Sequence, residues 1–374
     1  MPKAALLLFP VWILGYVIAG TNTFLMPESK PKQMQIDGPY VLYKQDKIYI
    51  KYVSDNDGMK TARIDSFSMA DKGKISLSVN TDEPGKTFTV KIKSKLEVEK
   101  SDYHNVKKML VISDIEGEFR AFRKLLQANG IIDRDYKWTF GNGHLVLTGD
   151  FFDRGEAVTQ VLWLIYSLEE KAKEAGGYVH FILGNHELMN LSGDLRYVHP
   201  KYFEAATLLG ENYMSLYGSQ SELGAWLRTK NIVEKVGNIL FMHGGISAEV
   251  NELNLSSSRL NRTARPYYDD TTFKYPDYKV ALLYSDLGPF WYRGYYTTAS
   301  NIIQNRIDST LNIFGVRYVA TGHTVIADTI SSLFNGKLFN TDVRHHSGHS
   351  EALLFENNSF YRVDGVGQKF LIAD

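Results

Sequence analysis

The chain has 374 residues, 44% of them hydrophobic and 13% aromatic, enough apolar material for a large core and room for a main domain with a smaller companion. Its formal net charge is +0 with 22% charged residues, which excludes a global field drawing it to nucleic acid or an anionic surface, so any anion must be gripped locally. There is no cysteine, which rules out disulfides, thiolate metal sites, a cysteine nucleophile and lipidation of an N-terminal cysteine, and leaves oxygen and imidazole as ligands.

The N-terminus differs from the rest. Lys3 precedes "AALLLFPVWILGYVIAG", an uncharged apolar run from Ala4 to Gly20, and polar "TNTFLMPESKPK" follows. A spanning helix needs about 20 apolar residues, and Pro10 and Gly15 weaken one here. Residues 1–20 therefore read first as a secretory signal removed on export, and second as an uncleaved anchor through residues 4–20. Both readings place the body of the protein in the periplasm or cell envelope.

From residue 33 to residue 100 the apolar pattern has period two, in "YVLYKQDKIYIKYV", "KISLSVN" and "KTFTVKIKSKLEV", separated by the turn signals "SDNDG" and "DEPG". This predicts a small antiparallel β module without a chemical constellation of its own. After Ser101 the rhythm becomes strand, loop, helix. "MLVIS" suits a buried parallel strand, and in "EFRAFRKLLQANG" Phe119, Phe122, Leu125 and Leu126 share a helical face that Gly130 ends. "HLVLTG", the amphipathic "EAVTQVLWLIYSLEEKAKEAGG" and "YVHFILG" continue the alternation, which implies right-handed β-α-β units. Ligands of such sheets sit beyond the carboxyl ends of the strands.

The polar residues collect at those ends. "SDIEG" supplies Asp114 and Glu116, "GDFFDRG" supplies Asp150, Asp153 and Arg154, and "GNHE" supplies Asn185, His186 and Glu187. "NILFMHGG" then brings His243, and "VRYVATGHT" brings His323. A lone histidine or aspartate is ordinarily a capping or core residue. Five strand ends, each with glycine in or beside the motif, point to backbone closing around a ligand. Phosphate-ester hydrolysis accounts for the residue types: two metals about 3.5–4 Å apart supply a nucleophile and positive charge, imidazole and carboxylate suit manganese, iron or zinc, and arginine binds two phosphate oxygens together.

The ordered set "SDIEG", "GDFFDRG", "GNHE", "HGG" and "GHT" resembles the calcineurin-like metallophosphoesterases, and within them the phosphoprotein phosphatases. "PFWYRGYY", the helix-rich insertions and the leader look most like the bacterial Shewanella-like phosphatases. The resemblance runs from Lys108 to Asp364. It implies an α/β sandwich of mixed sheets flanked by helices over residues 106–374, behind the small N-terminal β module, with insertions near 191–235 and 246–304. It also implies a dinuclear phosphomonoesterase acting on a phosphorylated protein, serine/threonine or tyrosine, or on a small phosphoester.

In that resemblance Asp150 bridges two divalent ions, manganese first and iron, magnesium or zinc as alternatives. Asp114 binds the first ion with Glu116 in the place of the family's usual histidine, and Asn185, His243 and His323 complete the second. His186, held by Asp153, resembles the acid that protonates the leaving oxygen while a water shared by the metals attacks. Arg154 contacts the phosphate, with Asn185 beside it. Arg293 in "PFWYRG" is the candidate second arginine, the alternative being packing on Trp291 or Tyr292. Glu187 reads as a capping or supporting carboxylate.

His345, His346 and His349 in "RHHSGH" have two readings, lining the site or a solvated loop, and are not counted as ligands. Arg196 and Tyr197 are the insertion residues to test first for substrate selection. Glu116 raises the negative charge of the first site, which favours harder cations and an attacking water that is less acidic. Two other functions stay open at this stage: a phosphodiesterase or nucleotidase on the same scaffold, and a phospho-ligand-binding pseudo-phosphatase in which Glu116 turns away.

Overall fold

A computed structural model describes residues 34–298 and 300–373; the leader-like residues 4–20 lie outside them. Among the described residues no helix is long and apolar enough to cross a membrane.

Strands covered on both faces carry continuous apolar runs, and the three expected after Ser101 form. Lys108–Ile112, His144–Leu147 and Tyr178–Phe181 are parallel neighbours. The antiparallel strands Glu351–Glu356, Ser359–Asp364 and Lys369–Ala373 extend that sheet beyond Lys108–Ile112, with Leu353 opposite Val111. A second sheet has Ile239–Met242, Tyr318–Thr321 and Leu338–Asn340 parallel at its centre. Val233–Val236 and Ser331–Leu333 pair antiparallel at its flanks.

Residue alternation explains the layers. Met109, Val111 and Val146 of the first sheet meet Phe241, Ala320 and Phe339 of the second in one buried cluster. The intervening Leu110, Ile112, Leu145 and Leu147 belong to the larger core, with Phe122 and Leu125 of helix Phe119–Ala128 and Leu162 of helix Val158–Glu174. Each such side chain contributes roughly 1.5–3 kcal/mol on burial. The result is the α/β sandwich of mixed sheets flanked by helices.

The N-terminal segment forms the antiparallel meander Met34–Lys44, Lys47–Asn56 and Met59–Ser68, with a second ribbon Ser76–Asn80 and Thr87–Lys91. It has no separate core: Tyr40, Ile48 and Ile50 share one with Trp163 and Tyr166 of helix Val158–Glu174. Trp163 Nε1 donates to the Pro39 carbonyl at 2.8 Å, and the Tyr43 amide to the Gln220 carbonyl at 2.7 Å. The insertions are built of short helices, including Pro200–Leu208, Glu222–Leu227, Ser257–Ala264 and Tyr278–Tyr284. Several of their aromatics, among them Tyr202, Tyr213, Trp226 and Tyr292, are buried in the core.

Candidate metal centre

The site forms where the central strands of both sheets end together. Asp114 and Glu116 follow Lys108–Ile112, Asp150 to Arg154 follow His144–Leu147, and Asn185 and His186 open helix Asn185–Ser192 after Tyr178–Phe181. His243 follows Ile239–Met242 and His323 follows Tyr318–Thr321. The first two loops are tied by backbone hydrogen bonds, Asp114 N to Gly149 O and Glu116 N to Asp150 O, both at 2.9 Å. Asp114, Glu116, Asp150, Asp153, Arg154 and His323 all hold left-handed φ, between +47° and +71°, a strain that non-glycine residues accept where surrounding structure imposes it, commonly at functional sites. Two glycines make the crowding possible: a methyl at Gly184 would collide with Asp150 Oδ1, and one at Gly322 with Asp114 Oδ2.

Asp150, His243 and His323 bring one ligand atom each within 4.8 Å of one another. His243 Nδ1 lies 2.8 Å from the Thr148 carbonyl, which can only accept, so Nδ1 carries a proton and Nε2 faces the site. There it is 3.0 Å from Asp150 Oδ2 and 3.0 Å from Asn185 Oδ1. Burial opposes charge on His243, but the Asp150 carboxylate outweighs it and raises the imidazole to about 10. A proton on Nε2 thus answers a carboxylate and an amide oxygen that a divalent ion would answer equally. Burial and the neighbouring His243 push His323 the other way, to about 2, leaving it a neutral nitrogen donor.

Asp150 is anchored at Oδ1 by the His186 amide at 2.9 Å. Burial raises its carboxyl, but His243 and His186 prevail and hold it well below the ordinary range. Glu187 supports this corner by accepting from the amides of Gly184, Asp150 and Phe151 at 2.7, 2.8 and 2.7 Å, the supporting role read from its position.

The opposite side is richer in carboxylate. Asp114 Oδ2 accepts from the His323 amide at 3.2 Å, and burial with Asp150 nearby drives its carboxyl upward against the pull of His243. Glu116 faces the site: its carboxylate, one of Asp150 and a nitrogen of His186 lie within 4.8 Å of one another, and Glu116 is ion-paired with Arg154. The sequence reading missed Asp342, which leaves strand Leu338–Asn340 two residues on. It is 6% exposed and lines the same cavity. Burial and Asp114 raise its carboxyl well above the usual value. The signal that would have found it is the one used five times elsewhere, an oxygen- or imidazole-bearing residue just past a short strand.

His186 Nδ1 is 2.6 Å from Asp153 Oδ2, and Asn190 Nδ2 donates to Asp153 Oδ1 at 2.8 Å. Burial disfavours the imidazolium, yet Asp150 and Asp153 prevail and raise His186 above its ordinary value. The cavity over these groups measures about 330 Å³. Asp114, Glu116, Asp150, Arg154, Asn185, His186, Arg293 and His323 line it, while Asp153 and His243 stand behind the lining. Arg293 Nη1 donates to the His323 carbonyl at 2.7 Å and to Thr324 Oγ1 at 3.1 Å. Tyr197 is 45% exposed, with its ring 5.2 Å from that of His186 and the Arg154 guanidinium 5.6 Å away. Arg196 is instead exposed and paired with Asp194. The three C-terminal histidines separate: His346 lines the cavity, His345 is buried against the Ser113 carbonyl at 3.1 Å, and His349 pairs with Glu351 at 3.1 Å.

A family model described as calcineurin-like phosphoesterase matches residues 107–327. The chain belongs to the calcineurin-like phosphoesterase family. The solved structure of the cold-active protein-tyrosine phosphatase of a psychrophilic Shewanella species is 36% identical, superposes with a TM-score of 0.80, and aligns over 90% of this chain and 99% of that one. Shewanella-like protein phosphatase 2 of Arabidopsis thaliana is 26% identical over 308 residues, 70% of this chain and 77% of its own. An uncharacterised protein of Schizosaccharomyces pombe is 32% identical over 252 residues, 62% of this chain and 71% of its own. The chain is a metal-dependent phosphatase. Its buried carboxylates, amide oxygen and imidazoles fit the divalent ions that the family implies: hard oxygen and borderline nitrogen donors, with no thiolate.

Proposed function

We propose that this phosphatase is a dinuclear protein phosphatase that removes the phosphoryl group from tyrosine, or from serine and threonine, side chains. The observation that carries the reading is Asp150, the one residue common to both candidate ligand groups, Asp150–His243–His323 and Glu116–Asp150–His186. Bound there, two divalent ions, manganese first, supply a water nucleophile at neutral pH and positive charge facing the phosphoryl oxygens. The chain's own residues do the rest. Asn185, His243 and His323 would hold one ion with Asp150, and Asp114 with Glu116 the other. Arg154, released from Glu116 by a competing anion, and Arg293 bind the phosphoryl oxygens in pairs. Asp153 fixes the His186 ring and keeps its proton, which His186 gives to the departing tyrosine or serine oxygen.

Tyrosine is the first substrate to test, because the 36% identical relative is described as a protein-tyrosine phosphatase. Residues 4–20 support an envelope location, with or without retention at the membrane. The test is turnover with added manganese on phosphotyrosine and phosphoserine peptides, a nucleotide and a bis-ester. Faster hydrolysis of the peptides is expected. Preference for the nucleotide or the bis-ester, or metal binding without turnover between pH 6 and 10, would overturn the reading.

A further inference from the structure

We propose that Asp342 is a metal ligand, completing the first ion's shell together with Asp114 and Asp150. The proposal rests on the two-ion reading above and adds a strand end to it.

Asp342 is buried to all but 6% of its surface and lines the cavity with Asp114, Glu116, Asp150, His323 and Arg293. Its side chain accepts no hydrogen bond from any described residue, and Asp114, Asp150, His243, Arg293 and Tyr296 are among its electrostatic neighbours. A buried carboxylate that shares a cavity with three others costs free energy unless a cation answers it. Arg293 gives its Nη1 to the His323 carbonyl and to Thr324, and Arg154 is engaged by Glu116, so neither arginine is bonded to Asp342.

The backbone fixes where Asp342 sits. Thr341 N donates to the Thr321 carbonyl at 2.8 Å, and Thr341 Oγ1 meets that carbonyl at 2.9 Å and Ser113 Oγ at 3.1 Å. Val343 on the other side is 1% exposed in the core between the sheets. A residue clamped between two buried neighbours presents its side chain with little freedom, as a ligand requires. Asp342 also restores what the first site loses: Glu116 stands where the family's pattern has a histidine, and its carboxylate is shared with Arg154.

The test is metal stoichiometry by elemental analysis and affinity by titration calorimetry with manganese, for wild type, D342N, D342E, D342S and D150N, alongside thermal unfolding with and without the ion. Wild type is expected to bind two ions. D342N should keep one and bind the other at least roughly 10²-fold more weakly, the upper end of what supporting residues alone cost. Metal-free D342N should melt at or above metal-free wild type, because the unanswered charge is gone, while manganese raises its melting temperature less. D342E should retain both ions and D342S lose one, a pair that decides the matter if D342N does not fold. Two ions of unchanged affinity in D342N or D342S would overturn the proposal while leaving the two-ion reading intact. A wild type with fewer than two ions would overturn the two-ion reading itself, and D150N retaining both would overturn Asp150 as the residue the ions share.

Discussion

The two halves of the site solve the same problem with different chemistry. Around His243 and His323, one carboxylate, Asp150, meets imidazole nitrogen and the Asn185 amide oxygen, so the half is close to charge balance even through a proton on His243. Around Asp114, the carboxylates of Glu116 and Asp342 line the same cavity, and among the described residues only Glu116 of these three is ion-paired with an arginine, Arg154. Where a half is balanced, hydrogen bonds alone hold its geometry. The half that is not balanced relies on an added cation, so metal should matter more there for stability as well as for chemistry.

Removing the residue the halves share should have the largest effect. D150N is expected to lose both ions and at least about 10³-fold in turnover, since metal charge is worth several kcal/mol at a developing phosphoryl anion. Elemental analysis with steady-state kinetics checks this. His186 stands outside both halves as the proton donor, and H186A should cost roughly 10²–10⁴-fold on phosphotyrosine peptides. On p-nitrophenyl phosphate, whose leaving group needs little protonation, the loss should be far smaller; equal losses on both substrates would remove His186 from the acid role.

D153N separates proton holding from metal holding. Asp150 and Asp153 raise His186, and an acid works only while protonated, so activity falls as pH rises through that raised value. Without the Asp153 charge the alkaline limb of kcat should move to lower pH by on the order of one unit, with the acidic limb and metal content unchanged. E116H makes the halves more alike. One negative charge fewer leaves the attacking water more acidic, so the pH optimum should fall by on the order of one unit and zinc should be taken up more readily. An unchanged profile with unchanged metal preference would contradict the charge argument. The smallest effect is expected at the rim, where Y197A should raise KM for a phosphotyrosine peptide about threefold, with kcat preserved.

Much of the fold was legible because its central strands are buried on both faces and read as unbroken apolar runs, and because the N-terminal strands alternate. The shared core of the two regions was not legible. Trp163 and Tyr166 look like any apolar helical stripe, and nothing local says that Tyr40 and Ile50 cover them. The site residues were readable where glycine flanks them, as in "GDFFDRG" and "GNHE". Asp342 escaped because strand Leu338–Asn340 has 3 residues and its glycine lies upstream in the turn. The sorting of His346, His345 and His349 into a cavity-lining residue, a buried residue against the Ser113 carbonyl and a neighbour of Glu351 depends on the turn of the loop rather than on residue type.

The most direct measurement is an anomalous difference map at the manganese edge from manganese-loaded crystals. The account predicts two peaks about 3.5–4 Å apart, one against Asp150, Asn185, His243 and His323, the other against Asp114, Glu116, Asp150 and Asp342. A single peak, or a second one that touches neither Asp114 nor Asp342, would contradict it.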